Sequence, residues 1–96
     1  MNEQEKFWET SFGNEYIERN NDAELLSSNI NLFSNVLSRI SNVETVLEIG
    51  ANIGLNLEAI KSLIPNSKCD AVEINQKACK ILSNKNLCSN IYNQTI

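Results

Sequence analysis

A glycine-bearing turn between two apolar periodicities leaves this chain few folds to choose from. Residues 45–57 read T-V-L-E-I-G-A-N-I-G-L-N-L. Val46, Leu47 and Ile49 make a short run of β-branched and aliphatic residues, long enough for a buried strand. The run stops at Gly50, and Gly54 follows four residues later. From Ile53 onward, Leu55, Ala59, Ile60, Leu63 and Ile64 recur at the spacing of one helix face. Strand, turn and helix in this order predict a parallel α/β fold. In such folds the turn lies at the carboxyl edge of the sheet, where ligands bind.

Glu48 narrows the choice of ligand. Side chains alternate along a strand, so Glu48 cannot share a face with Leu47 and Ile49. A carboxylate at the end of a buried strand is costly unless a cation or several donors meet it. Beside this turn it would also repel a pyrophosphate. A dinucleotide-binding loop reads G-x-G-x-x-G, whereas here Asn52 stands at the middle glycine's position between Gly50 and Gly54. A ligand with a positively charged amino group suits this strand end better than NAD.

At these residues the chain resembles the class I S-adenosylmethionine-dependent methyltransferases, whose first motif is acidic-x-Gly-x-x-x-Gly, here Glu48, Gly50 and Gly54. The likeness extends to F-W-E-T-S-F-G-N-E-Y-I-E-R-N (residues 7–20), V-L-E-I-G-A-N-I-G-L-N-L (46–57) and V-E-I-N (72–75). Together, in this order, they resemble the methylases associated with pseudaminic acid biosynthesis. Thr10 departs from the pattern, standing where a glycine is expected after Trp8 and Glu9. The resemblance implies a Rossmann-like class I methyltransferase fold and S-adenosyl-L-methionine as cofactor. It implies that Glu48 binds the methionine amino group, that Gly50 and Gly54 allow close backbone approach, and that Ala51, Asn52 and Ile53 line the loop. Related enzymes close an amino-terminal arm over the cofactor. By that likeness residues 1–21 are an arm, with Tyr16 and Arg19 as cofactor contacts. Arg19 would pair with the methionine carboxylate, since a guanidinium gives a carboxylate two parallel hydrogen bonds. On spacing alone, Phe12, Tyr16 and Arg19 would simply share one side of a packing helix.

Residues 22–96 are expected to form the cofactor-binding domain, in part. Asp22 is the expected N-cap of an amphipathic helix reaching about Ile40, with Leu26, Ile30, Phe33, Val36, Leu37 and Ile40 on one stripe. Burying six such side chains is worth on the order of 10 kcal/mol gross, before entropy. Pro65 ends the helix after Gly54 near Ile64. Residues 69–74, C-D-A-V-E-I, read as a second strand, completing a right-handed crossover. Glu73, nineteen positions after Gly54, stands where nucleotide-binding crossovers place an acid for the ribose hydroxyls. Ile74 would pack on the adenine. Asn75 caps a helix that presents Ala78, Ile81 and Leu82 to the sheet and ends at 84–86. Residues 89–96 would begin a third strand.

With 8 basic and 12 acidic residues in 96, the net charge of −4 argues against nucleic-acid or anionic-membrane partners. A small-molecule acceptor is easier to reconcile with it. No apolar run approaches a membrane span, and the polar M-N-E-Q-E-K start lacks a signal peptide's core, so a cytoplasmic protein is expected. Cys69, Cys79 and Cys88 are widely spaced and histidine is absent, which argues for reduced core thiols and against a metal site.

Methyltransferases of the class resembled here use a larger sheet in which the first strand is central. The expectation is therefore an amino-terminal fragment, inactive on its own, with an exposed strand edge. No residue stands out as a catalytic base. The rivals are a non-catalytic cofactor-binding fragment and, less well supported, a nicotinamide-dependent oxidoreductase.

Overall fold

The two periodicities resolve into strands and helices that alternate along the chain. The structure, a computed structural model, describes residues 2–9 and 22–96. Thr10, Phe12, Tyr16 and Arg19, and with them most of the expected arm, lie outside the described residues, as does capping by the Asp22 side chain. The elements are α1 (Glu3–Glu9), α2 (Asp22–Leu37), β1 (Thr45–Ile49), α3 (Leu55–Leu63), β2 (Lys68–Val72), α4 (Gln76–Asn84) and β3 (Cys88–Tyr92).

The strands form a parallel sheet in the order β1-β2-β3. Glu48 lies opposite Ala71, and Ile49 opposite Val72. The β2–β3 register slips between Cys69 and Asp70, where Asp70 Oδ1 accepts from the Asn90 backbone at 3.0 Å. Each crossover carries one helix, and both helices cover the same face. Leu57 of α3 and Leu82 of α4 pack with Cys69 and Ala71 in one buried cluster that also takes in Ala51. Val46 and Glu48 share that face by alternation.

Strand β1 is only half buried, contrary to expectation. Leu47 and Ile49 are 60% and 61% exposed. They point to the other face of the sheet, which no described helix covers. The expected alternation of Glu48 against these two residues does hold.

Helix α2 begins where its sequence suggests but stops at Leu37, short of Ile40. There the Arg39 and Ile40 amides each bond a carbonyl three residues back, at 3.2 Å. Such tight bonds end an α-helix, and Asn42 then turns the chain at φ 61. The stripe is also less buried than its six residues suggest: Val36 is 41% and Ile40 53% exposed. The reason is geometric. Helix α2 packs chiefly on α3 rather than on the sheet, so its apolar side meets one cylinder and remains wet at the edges.

The other elements follow their local signals. Asn75 caps α4, its side chain accepting from the Ala78 amide at 2.8 Å. Helix α3 ends at Leu63 before Pro65, and Lys85 at the end of α4 reaches Glu58 of α3 at 3.1 Å. The third strand starts at Cys88, one residue before its expected position. Cys69 and Cys79 are buried and Cys88 half-buried, all as free thiols. Burial, with Cys69, Asp70 and Glu48 nearby, pushes the Cys88 thiol up to about 11 despite the opposing charge of Lys61.

The two turn glycines do different work. Both have positive φ, 77 at Gly50 and 86 at Gly54. A methyl group on Gly50 would meet nothing within 4 Å, whereas on Gly54 it would lie 2.2 Å from Leu82 Cδ1. Leu82 is fully buried among Ala51, Leu57, Cys69 and Ala71, so its tip has nowhere to go. Gly50→Ala is expected to lose about 1–2 kcal/mol from backbone strain alone. Gly54→Ala should lose about 1–3 kcal/mol more by overpacking. Chemical denaturation of both variants checks this; equal losses would show that the Leu82 contact carries no energy.

Candidate functional site

Because β1 and β2 end side by side, their outgoing loops leave the sheet together. The amides of Gly50 and Ala51 both donate to the Val72 carbonyl, at 2.8 and 3.2 Å. Asn52 then adopts φ 54, a left-handed conformation that asparagine tolerates better than most residues. The turn closes through the Gly54 amide to Ala51 O at 3.0 Å. Ile53 is buried against Ala78, with Leu55 and Ile81 around it. The loop is therefore pinned at both ends and at one side chain.

Glu73 joins this loop to the next one. Its Oε1 accepts from the Asn52 amide and its Oε2 from the Asn75 amide, each at 2.7 Å. A carboxylate has about four acceptor positions, so each oxygen keeps one. The side chain is 7% exposed. Asn75 Nδ2 donates to the carbonyls of Trp8 and Glu9, at 3.1 and 3.0 Å, which ties α1 to the same junction. Asn93 Nδ2 holds the carbonyls of Glu73 and Ile74 at 2.9 and 3.0 Å.

Glu48 is held differently. Asn56 Nδ2 donates to its Oε2 at 2.6 Å, and Asn29 Nδ2 of α2 donates to Asn56 Oδ1 at 2.9 Å. Oε1 of Glu48 is buried and has no hydrogen-bond partner among the described residues; the same is true of Asn52 Oδ1. Burial pushes the Glu48 carboxyl above its ordinary 4.5. The Asn56 hydrogen bond opposes this, and the nearby charge of Glu73 adds to it.

A cavity of about 690 Å³ opens over these loops, within the size range of small-molecule sites. Gly50, Ala51, Asn52 and Ile53 line it from the first loop, Glu73 and Ile74 from the second. Trp8 of α1, Asn29 of α2 and Asn56 of α3 complete much of the wall. Glu48 and Gly54 are not part of it. Gly54 accommodates Leu82 behind the loop, and Glu48 meets the wall through Asn56. Tyr16 and Arg19 lie outside the described residues.

Asn29 and Asn56 were not singled out from the sequence, although a signal existed. Asn29 is three residues after Leu26 and four before Phe33, and Asn56 is three after Ile53 and four before Ile60. Each is an amide on an otherwise apolar helix stripe. A polar group at such a position is expected to find a buried partner. Among the described residues no group of three or more His, Cys, Asp or Glu gathers as a metal site, and no helix is long and apolar enough to cross a membrane.

One solved structure of the plantazolicin methyltransferase BpumL, in complex with a monoazolic desmethylPZN analog and SAH, superimposes with a TM-score of 0.66. The two are 17% identical over 96% of this chain and 38% of that one. The same enzyme in complex with SAH gives 0.63 at 18% identity, over 86% and 33%. This chain carries part of a Rossmann-like methyltransferase fold. It spans about a third of the length of those structures. No family model matches it, nor does any curated protein.

The raised Glu48 carboxyl has a consequence for stability. The folded chain holds that proton more tightly than the unfolded chain does, so ionisation costs the folded state. Stability from this group is present below the unfolded value near 4.5 and is lost as pH rises through the folded value. Urea midpoints between about pH 4 and pH 8 should show wild type losing stability relative to Glu48→Gln as pH rises. Parallel curves for the two proteins would contradict this.

Proposed function

We propose that this chain is the S-adenosylmethionine-binding part of a cytoplasmic methyltransferase acting on a small molecule. A strand-end carboxylate just behind the cavity wall, with one oxygen unpartnered among the described residues, carries the reading. An anionic acceptor held in a half-apolar site, next to a second acid, suits a ligand that brings its own cation. S-adenosylmethionine carries an ammonium at one end and ribose hydroxyls at the other. The likeness in residues 7–20, 46–57 and 72–75 supports an acceptor from nonulosonic acid biosynthesis of the pseudaminic acid type.

The residues present fit that cofactor. Glu73 keeps acceptor capacity on both oxygens for a pair of hydroxyls, and its backbone bonds hold it rigid before any ligand arrives. Ile74 offers an apolar surface for the adenine. Gly50 leaves open space in which a ligand can approach the main chain, with Ala51 and Asn52 continuing that wall. Gly54 sets the turn. Glu48 supplies negative charge at the amino-acid end, and Tyr16 and Arg19 are assigned to an arm over the cofactor, Arg19 to its carboxylate. When bound, the cofactor supplies a methyl group activated by a sulfonium. What the chain contributes is position, since displacement at such a carbon depends on holding donor and nucleophile in line. No catalytic residue is assigned.

A nicotinamide dinucleotide is a poorer fit. Glu48 ends β1 beside the loop, where a carboxylate repels a pyrophosphate, and Asn52 stands where a dinucleotide loop has its middle glycine. The match spans about a third of the methyltransferase structures, so binding rather than turnover is the property to measure. Calorimetry should show saturable binding of SAH that NADH does not displace. Removing one charged acceptor is worth about 1.5–3 kcal/mol, so Glu73→Ala should weaken SAH by about tenfold or more. A folded chain that ignores SAH, or that exchanges it for NADH, would overturn the proposal.

A further inference from the structure

Glu48 is the acid proposed for the cofactor's amino-acid end, yet it is not in the cavity wall, whereas Asn56 and Asn29 are. This is the opposite of what a strand-end acid touching its ligand directly would show. The charge reaches the cavity through the two amides, in a chain that runs from β1 to α3 to α2. Asn56 donates to Glu48 at 2.6 Å, shorter than an ordinary N–H···O bond, the direction in which a charged acceptor shifts the length. A carboxylate can only accept, so it dictates which way the Asn56 amide faces. The Asn56 oxygen is thereby turned toward Asn29, which must donate in its turn, at 2.9 Å. One buried charge thus sets the orientation of two wall amides. Each amide oxygen has two acceptor positions, and the Asn56 oxygen has spent one on Asn29.

We propose that Asn29 and Asn56 are positioning residues that lock the Glu48 carboxylate and present its charge, through their amides, to the amino group of the cofactor's amino-acid end. This rests on the S-adenosylmethionine reading above. It explains why two asparagines interrupt the apolar stripes of α2 and α3, each forgoing the burial an aliphatic residue would supply there. It also explains how a half-buried acid with an unpartnered oxygen is tolerated: Asn56 is its donor among the described residues.

The relay has an electrostatic signature. Loss of a donor to the ionised form raises a carboxyl's pKa. Among the described residues, the titratable groups acting on Glu48 are Glu73, beyond β2, and the Cys88 thiol of β3, which stays neutral below about 11. Helices α2 and α3 face it with neutral amides. An acid limb in ligand binding near the Glu48 transition should therefore move when the Asn56 donor is removed.

The test compares two ligands on the whole chain by calorimetry across pH. SAH has the amino-acid end; 5′-methylthioadenosine keeps the adenine and ribose but lacks it. Asn56→Ala should weaken SAH by about tenfold, leave methylthioadenosine unchanged, and move the acid limb of SAH binding to higher pH. Asn29→Ala should shift both readouts in the same direction by less. Methylthioadenosine binding by each variant shows that the site is still folded. If wild type binds SAH but Asn56→Ala matches it with an unmoved limb, or loses both ligands equally, the relay is wrong and the cofactor reading stands. If wild type binds neither ligand, the cofactor reading falls and the relay with it.

Discussion

Two backbone amides from different loops converge on one carboxylate, and much of the site follows from that. Glu73 accepts from Asn52 and from Asn75, so the turn after β1 and the turn after β2 cannot move apart without breaking a charge-assisted bond. Such bonds are stronger than neutral ones, and a mostly buried carboxylate cannot exchange them for water at little cost. Asn75 extends the same junction, since its carbonyl oxygen caps α4 while its amide nitrogen holds the last carbonyls of α1. The cavity floor is therefore braced at Glu73, the residue proposed for the cofactor's ribose.

The second acid sits in a less satisfied environment. Glu48 has one strong donor on one oxygen and none among the described residues on the other. Its charge is raised in energy by burial and by Glu73, and relieved by Asn56. One acid with a backbone donor on each oxygen and one with a donor on a single oxygen make an asymmetric arrangement. The first ties two loops together, and the second keeps an acceptor unmet among the described residues. The proposed cofactor, with hydroxyls at one end and an ammonium at the other, would engage both.

Around these acids the packing is economical. Gly54 lets Leu82 lie against the turn, and Leu82 closes the core with Leu57, Cys69 and Ala71. The loop is thus seated on the hydrophobic core, with Gly50 left open above it. The opposite face of the sheet, with Leu47 and Ile49 outward, has no such cover among the described residues. The chain corresponds to about a third of the methyltransferase structures that share its fold.

Much of the local structure was legible in the sequence because its causes are local. The Asn75 cap, the stop at Pro65, the strand–turn–helix around Gly50 and Gly54, and the opposed facing of Glu48 and Ile49 each depend on a few neighbouring residues. The burial of α2 and β1 was misjudged because burial depends on what lies across the gap: one helix for α2, and no described element for the outer face of β1. The Asn29–Asn56–Glu48 chain spans three elements and 27 residues in its longer link. No periodicity can select such a pairing among the many asparagines present. Residue order determined which elements form and which acids end the strands. Only the tertiary structure decided which amides meet those acids, because a hydrogen bond depends on distances of about 3 Å that sequence separation does not encode.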